Sequence, residues 1–97
     1  MEKSGIREQV IQEIRALAQK YHVQKVILFG SRARGDHRRT SDIDLAVKGG
    51  EFERFALDVE EETSTLLKYD IVDLDSELPP ELRESIQKEG IVLYEKI

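Results

Sequence analysis

Apolar positions recur every three to four residues at the start of the chain: Ile6, Val10, Ile14, Leu17 and Tyr21, with Ile11 and Ala18 widening the stripe. That spacing puts them on one side of a helix, so residues 5–21 are predicted to form an amphipathic helix with one buried face. The period then shortens. Residues 25–29 are a β-branched, apolar run that suits a central strand, and residues 42–47 are a second. Gly49-Gly50 breaks the chain after it. Phe52, Phe55, Ala56, Val59, Thr63, Leu66 and Leu67 return to helical spacing and predict a helix over 52–67, with Asp58, Glu60, Glu61 and Glu62 as its solvated face. Residues 70–74 read as a third strand. Pro79-Pro80 marks a helix start, because Pro is tolerated in the first turn, and Gly90 is placed as that helix's C-cap. Residues 91–94 form a short final strand or an extended tail. Helices alternating with short strands predict an α/β (α+β) fold whose sheet is covered on one face.

Composition narrows this picture. Ninety-seven residues, 36% charged and 39% hydrophobic, predict a soluble single domain spanning 1–97 with a modest core. No apolar run approaches the roughly 20 residues that span a bilayer, and the first residues lack the apolar stretch of a secretory signal. The chain has no cysteine, which excludes disulfides and thiolate metal sites and fits a cytoplasmic location. The net charge of −5 argues against direct nucleic-acid binding, which needs a basic footprint. It also hides an asymmetry: residues 32–39 carry +3 and the remainder −8. A basic loop on an acidic body suits a small polyphosphate better than a long nucleic-acid backbone.

That loop lies inside the segment Gly-Ser-Arg-Ala-Arg-Gly-Asp-His-Arg-Arg-Thr-Ser-Asp-Ile-Asp, residues 30–44. Its Gly30-Ser31 turn follows the first apolar run, and Asp42-Ile43-Asp44 opens the second. Side chains at i and i+2 of a strand share a face, so Asp42 and Asp44 present two carboxylates side by side. Carboxylates that close repel unless a cation sits between them. A hard divalent ion such as Mg²⁺ prefers such oxygen ligands, and free N–H groups at a Gly-Ser turn are a seat for phosphate oxygens. Arg34 and Arg38 offer planar donor forks to a triphosphate, with Arg32 and Arg39 ranked below them. His22 and His37 are too isolated for a metal site and read as surface residues. Tyr21, Tyr69 and Tyr94 read as packing residues.

Gly30-Ser31, ten intervening residues, then Asp42-x-Asp44 resembles the signature of the DNA polymerase β-like nucleotidyltransferases. The fuller string, from Phe29 through Gly35 and from Ser41 through Leu45, resembles the minimal nucleotidyltransferase branch, which includes antitoxins of the MntA type encoded beside HEPN-domain toxins. The resemblance implies a small mixed β-sheet backed by helices, the palm-like fold of that superfamily. It implies ATP as substrate and two Mg²⁺ ions, with Gly30 and Ser31 on the β- and γ-phosphates. Asp42 and Asp44 would hold the nucleotide-associated ion. A third acid would complete the second ion's site and help deprotonate the acceptor hydroxyl. Asp70 is the candidate, at the start of the strand after the second helix, with Asp73 and Asp75 as rivals.

The activity implied is transfer of AMP from ATP to a tyrosine of a partner HEPN ribonuclease, silencing that toxin. A chain this short has room for a catalytic core and no second substrate-binding domain, so a partner protein supplies the acceptor most simply. Two other functions stay open: a non-catalytic antitoxin that neutralises by binding, and a catalytic subunit that modifies a small molecule beside a helical partner. Self-association as a homo-oligomer is also compatible with so small a core.

Overall fold

The structure, a computed structural model, describes residues 2–97; Met1 lies outside them. After a 3₁₀ turn (Glu2–Ser4), α1 (Glu8–Lys20) carries Val10, Ile11, Ile14 and Ala18 on its buried face, as the apolar stripe predicts. It begins three residues later than the predicted helix over 5–21, because Arg7 is extended (ψ 145°). Glu8 and Lys20 suit the positive and negative ends of the helix dipole. The helix closes with two reverse bonds, Val23 N–H to Ala18 O (2.9 Å) and His22 N–H to Gln19 O (3.3 Å), with His22 left-handed at φ 60°.

The chain continues through β1 (Lys25–Phe29), α2 (Ser31–Arg34), β2 (Ile43–Lys48), α3 (Phe52–Glu62), β3 (Tyr69–Asp73), α4 (Pro80–Glu89) and β4 (Ile91–Glu95). The sheet is mixed, in the order β3-β2-β1-β4. β1 is antiparallel to both β2 and β4, whereas β2 and β3 are parallel, with α3 as the crossover that parallel strands require. Residues 91–94 are thus an edge strand rather than a loose tail.

Alternation along β2 decides what each sheet face does. Ile43, Leu45 and Val47 are fully buried and join Val26, Leu28 and Leu93 against α1 and against Phe55 and Val59 of α3. The other face is covered as well, contrary to the one-sided sheet predicted from pattern: Ile86 and Leu82 of α4 pack with Phe29, Ala46, Ile27 and Val72. The three tyrosines pack against the main core.

Helix α3 stops five residues before the apolar spacing does. Thr63 turns extended and its Oγ1 donates to Val59 O (2.6 Å), while Glu13 of α1 accepts both Ser64 N–H (2.7 Å) and Ser64 Oγ–H (2.6 Å). These side-chain bonds outcompete a further helical turn, and Leu66 is left fully exposed. Asp58, predicted as solvated, accepts the Tyr21 hydroxyl and ties α3 to α1.

Gly90 follows α4 in an extended conformation (φ −65°), not the left-handed one a C-cap glycine usually serves. What requires glycine is space: a Cβ there would run into Ile86 O and lie 2.5 Å from Ile27 Cγ2. At an unstrained φ, Gly→Ala normally stabilises by about 0.4–1 kcal/mol through the unfolded chain. Here Gly90→Ala is expected to destabilise by about 1–3 kcal/mol, the cost of overpacking, read as a lower urea midpoint.

Candidate functional site

The sequence-nominated residues gather at one end of the sheet, where β1 finishes and β2 and β3 begin. Phe29, Asp44 and Asp70 form one row across three strands, Phe29 opposite Asp44 in the antiparallel pair and Asp44 opposite Asp70 in the parallel one. Asp44 belongs to the set of β2 side chains opposite the buried Ile43 and Leu45, so the row lies on the face that α4 only partly covers. Asp42 precedes the strand and is exposed, as is Asp70, whereas Asp44 is half-buried.

Burial, and then the charges of Asp70 and Asp42, push the Asp44 carboxyl above the usual carboxylate range; Arg34 opposes them. The two rivals for third acid stand elsewhere. Asp73 pairs with Val47 toward the other end of β2. Asp75 accepts Lys48 Nζ–H (3.1 Å) and Gly49 N–H (2.8 Å), which hold its carboxyl below the usual range.

Gly30 joins the turn to the acids. Its φ of 74° and ψ of −157° lie in a region essentially reserved for glycine, and a Cβ there would overlap the Asp44 carboxylate, 3.1 Å from Cγ. Ser31 then opens α2, an unforeseen single helical turn in which Gly30 O accepts Ala33 and Arg34 N–H (3.1 Å each). The first N–H groups of a helix have no intrahelical acceptor, so Ser31 and Arg32 N–H occupy the position of the proposed phosphate seat.

The four arginines of the loop divide sharply. Arg34 is bound by Asp36 (3.1 Å) and by Glu89 of α4 (2.9 Å). Arg38 and Arg39 are exposed, and neither guanidinium has an anionic partner among the described residues. Arg32 is 2% exposed and turned inward onto backbone carbonyls. His37, read as a surface residue, is half-buried, and its Nδ1 is shielded with no hydrogen-bond partner among the described residues. Sequence reasoning missed both of these; position directly after a phosphate-seat serine was the only signal for Arg32.

Among the described residues, no three Asp, Glu or His side chains are gathered so as to hold an ion by themselves. The donor set suits Mg²⁺ nonetheless, since that ion is usually bound by one or two carboxylates together with substrate phosphates and waters. A raised carboxylate pKa means that the fold binds more protons than the unfolded chain. Asp44 therefore costs stability as pH rises from about 4 through its folded value, and the cost stays constant above that. Asp44→Asn is expected to raise the melting temperature of the ligand-free protein at pH 7 by a few degrees and to flatten its acid-side pH dependence. Gly30→Ala is expected to destabilise by about 1–3 kcal/mol through backbone strain, measured by chemical denaturation.

Comparison with known proteins agrees with this geometry. The family model for polymerase β nucleotidyltransferases matches residues 12–97. A candidate protein adenylyltransferase of Methanocaldococcus jannaschii is 43% identical over 68 residues, covering 67% of this chain and 66% of its own length. A second from the same organism is 31% identical, covering 93% of this chain and 96% of its own. A crystal structure of a toxin–antitoxin with AMP-PNP superposes with a TM-score of 0.70 at 26% identity, covering 89% of this chain and 73% of that one. No helix among the described residues is long and apolar enough to cross a membrane. With the signature turn, the acid row and the mixed sheet in one frame, this chain belongs to the polymerase β nucleotidyltransferase family.

Proposed function

We propose that the protein is an antitoxin that transfers AMP from ATP to a tyrosine of a partner HEPN-domain ribonuclease. The observation that carries the reading is the row in which Asp44 faces Asp70 across β2 and β3 with Gly30 closed against it. The likeness to a toxin–antitoxin structure solved with AMP-PNP supports both the nucleotide and the kind of partner. The candidate protein adenylyltransferases of M. jannaschii support AMP transfer to protein.

In this mechanism Ser31 and the first N–H groups of α2 hold the β- and γ-phosphates. Arg38 pairs with triphosphate oxygens, joined by Arg34 once it exchanges Asp36 or Glu89 for phosphate. Asp42 and Asp44 would hold the nucleotide-associated Mg²⁺, and Asp70 with Asp44 would hold a second. Bound there, the ions would supply neutralisation of the charge that develops on the transferring phosphoryl group. The tyrosine oxygen forms a bond to the α-phosphorus, the bond from that phosphorus to the bridging oxygen breaks, and pyrophosphate leaves. Asp70 accepts the phenolic proton. Asp42 and Asp70 lie on an open surface, so the partner encloses the acceptor.

The test is incubation with Mg²⁺, labelled ATP and a HEPN-domain toxin protein, followed by mass spectrometry of that protein. Label on a partner tyrosine is expected, reduced at least 100-fold in Asp42→Asn and Asp44→Asn, a loss of about 2.7 kcal/mol in transition-state stabilisation. A toxin-silencing complex with no label, equally strong in both variants, would show neutralisation by binding alone. Mg·ATP at about 100 times Kd is also expected to stabilise the fold by about 2.7 kcal/mol, and no shift in melting temperature would count against a nucleotide site.

A further inference from the structure

Arg32 follows Ser31, yet its guanidinium is turned inward onto backbone carbonyls. Its Nη1 donates to Ser4 O (2.8 Å), Nε to Ser41 O (3.0 Å) and Nη2 to Arg39 O (3.1 Å), with Arg38 O at 3.5 Å. No carboxylate pairs with it among the described residues, although it is 2% exposed. Burying a guanidinium without a counter-charge is costly, and only several well-aimed acceptors offset it. Here those acceptors come from two separate stretches of chain: the N-terminal 3₁₀ turn, and the loop that delivers Asp42.

The loop is wound around the guanidinium. Arg38 N–H donates to Ser41 Oγ (2.8 Å) and Ser41 N–H returns to Arg38 O (3.1 Å), closing a turn whose next residue is Asp42. On the other side the backbone at Gly5 (φ +69°) comes so near that a Cβ would lie 2.8 Å from Arg32 Nη1 and 2.7 Å from His37 Nε2. Gly5 therefore has no room for a side chain beside Arg32 and His37.

We infer that Arg32 is the positioning residue for Asp42: it fastens the loop of residues 38–41 to the Ser4-Gly5 segment, which makes that segment part of the active-site framework. What Asp42 then does rests on the nucleotidyl-transfer reading; the fastening does not. Lysine cannot reproduce it, because a single ammonium lacks the rigid fork that reaches three carbonyls in different directions.

Two variants of the full chain test this, Arg32→Lys at the centre of the fastening and Gly5→Ala, which crowds it from the far side. The first readout is amide hydrogen exchange without nucleotide, since local opening is measured independently of activity. In both variants exchange at Arg38 and Ser41 is expected to rise about tenfold, a factor worth about 1.4 kcal/mol, while β1 and β2 keep their protection. The second readout is AMP transfer at a temperature where both variants are folded. The Mg²⁺ requirement and the KM for ATP are expected to rise about tenfold with kcat within about threefold, the pattern of weakened binding rather than lost chemistry, and excess Mg²⁺ restores the rate. A purely structural arginine would lower the melting temperature, raise exchange evenly along the chain and leave KM and the Mg²⁺ requirement unchanged, and that result would overturn the inference. Should Gly5→Ala not fold, Arg32→Lys decides alone. A wild-type protein inert toward ATP would refute the transferase reading, and the exchange data would still decide the fastening.

Discussion

Asp44 and Asp70 stand opposite one another on adjacent parallel strands, with Asp42 two residues ahead of Asp44. Like charges directly opposite in a sheet are unfavourable by a few tenths to about 1 kcal/mol, and the half-buried setting of Asp44 adds a desolvation cost. Burial on the reverse face of the same strand outweighs this. Ile43, Leu45 and Val47 are fully removed from solvent, each stabilising by about 1.5–3 kcal/mol. A one-residue slip of β2 would send Asp44 into that core and Leu45 out to water. The register that seals the core is thus the register that crowds the acids, and the tension at the site is sustained by the packing behind it.

Around that row the basic loop does three kinds of work with one residue type. Arg34 is parked on Asp36 and Glu89, exposed pairs of the sort that contribute little and exchange readily. Arg38 and Arg39 project from the surface with no anionic partner among the described residues, on a chain of net charge −5. Arg32 is spent inside the fold, converting a run of irregular backbone into a defined approach to Asp42. Composition alone records four equivalent arginines; only the fold separates the exposed ones from the buried Arg32.

Features with a strict period or an unusual local geometry were legible in the amino-acid sequence. The apolar runs at 25–29 and 42–47 reappear as β1 and β2, the stripe of residues 5–21 as α1, and the Gly30-Ser31 and Asp42-x-Asp44 residues meet at one end of the sheet. Asp73, a rival for the third acid, lies three residues from Asp70 and so on the other strand face, beside Val47 rather than Asp44. What failed depended on contacts between distant segments. Leu66 and Leu67 continue the helical spacing of α3, but the Glu13 carboxylate on α1 captures Ser64 and ends the helix first. The second covered face went unseen because α4 buries a sparse set, chiefly Ile86 and Leu82, against β-strand residues that alternation alone assigns to solvent. Arg32 and His37 were misjudged for the same reason: neither residue type announces burial, and the partner segment around Ser4 and Gly5 is almost thirty residues away in the chain.

Asp44 sits in a charge-crowded row, which, under the proposed function, a divalent cation with nucleotide would relieve. The most direct measurement is the titration of the Asp44 side-chain carboxyl by carbon-13 NMR, with and without Mg²⁺ and AMP-PNP. A pKa above the ordinary aspartate value of about 3.9 is expected in the ligand-free protein, falling below that value once Mg²⁺ and the nucleotide are both present. An ordinary pKa that neither addition moves would contradict it.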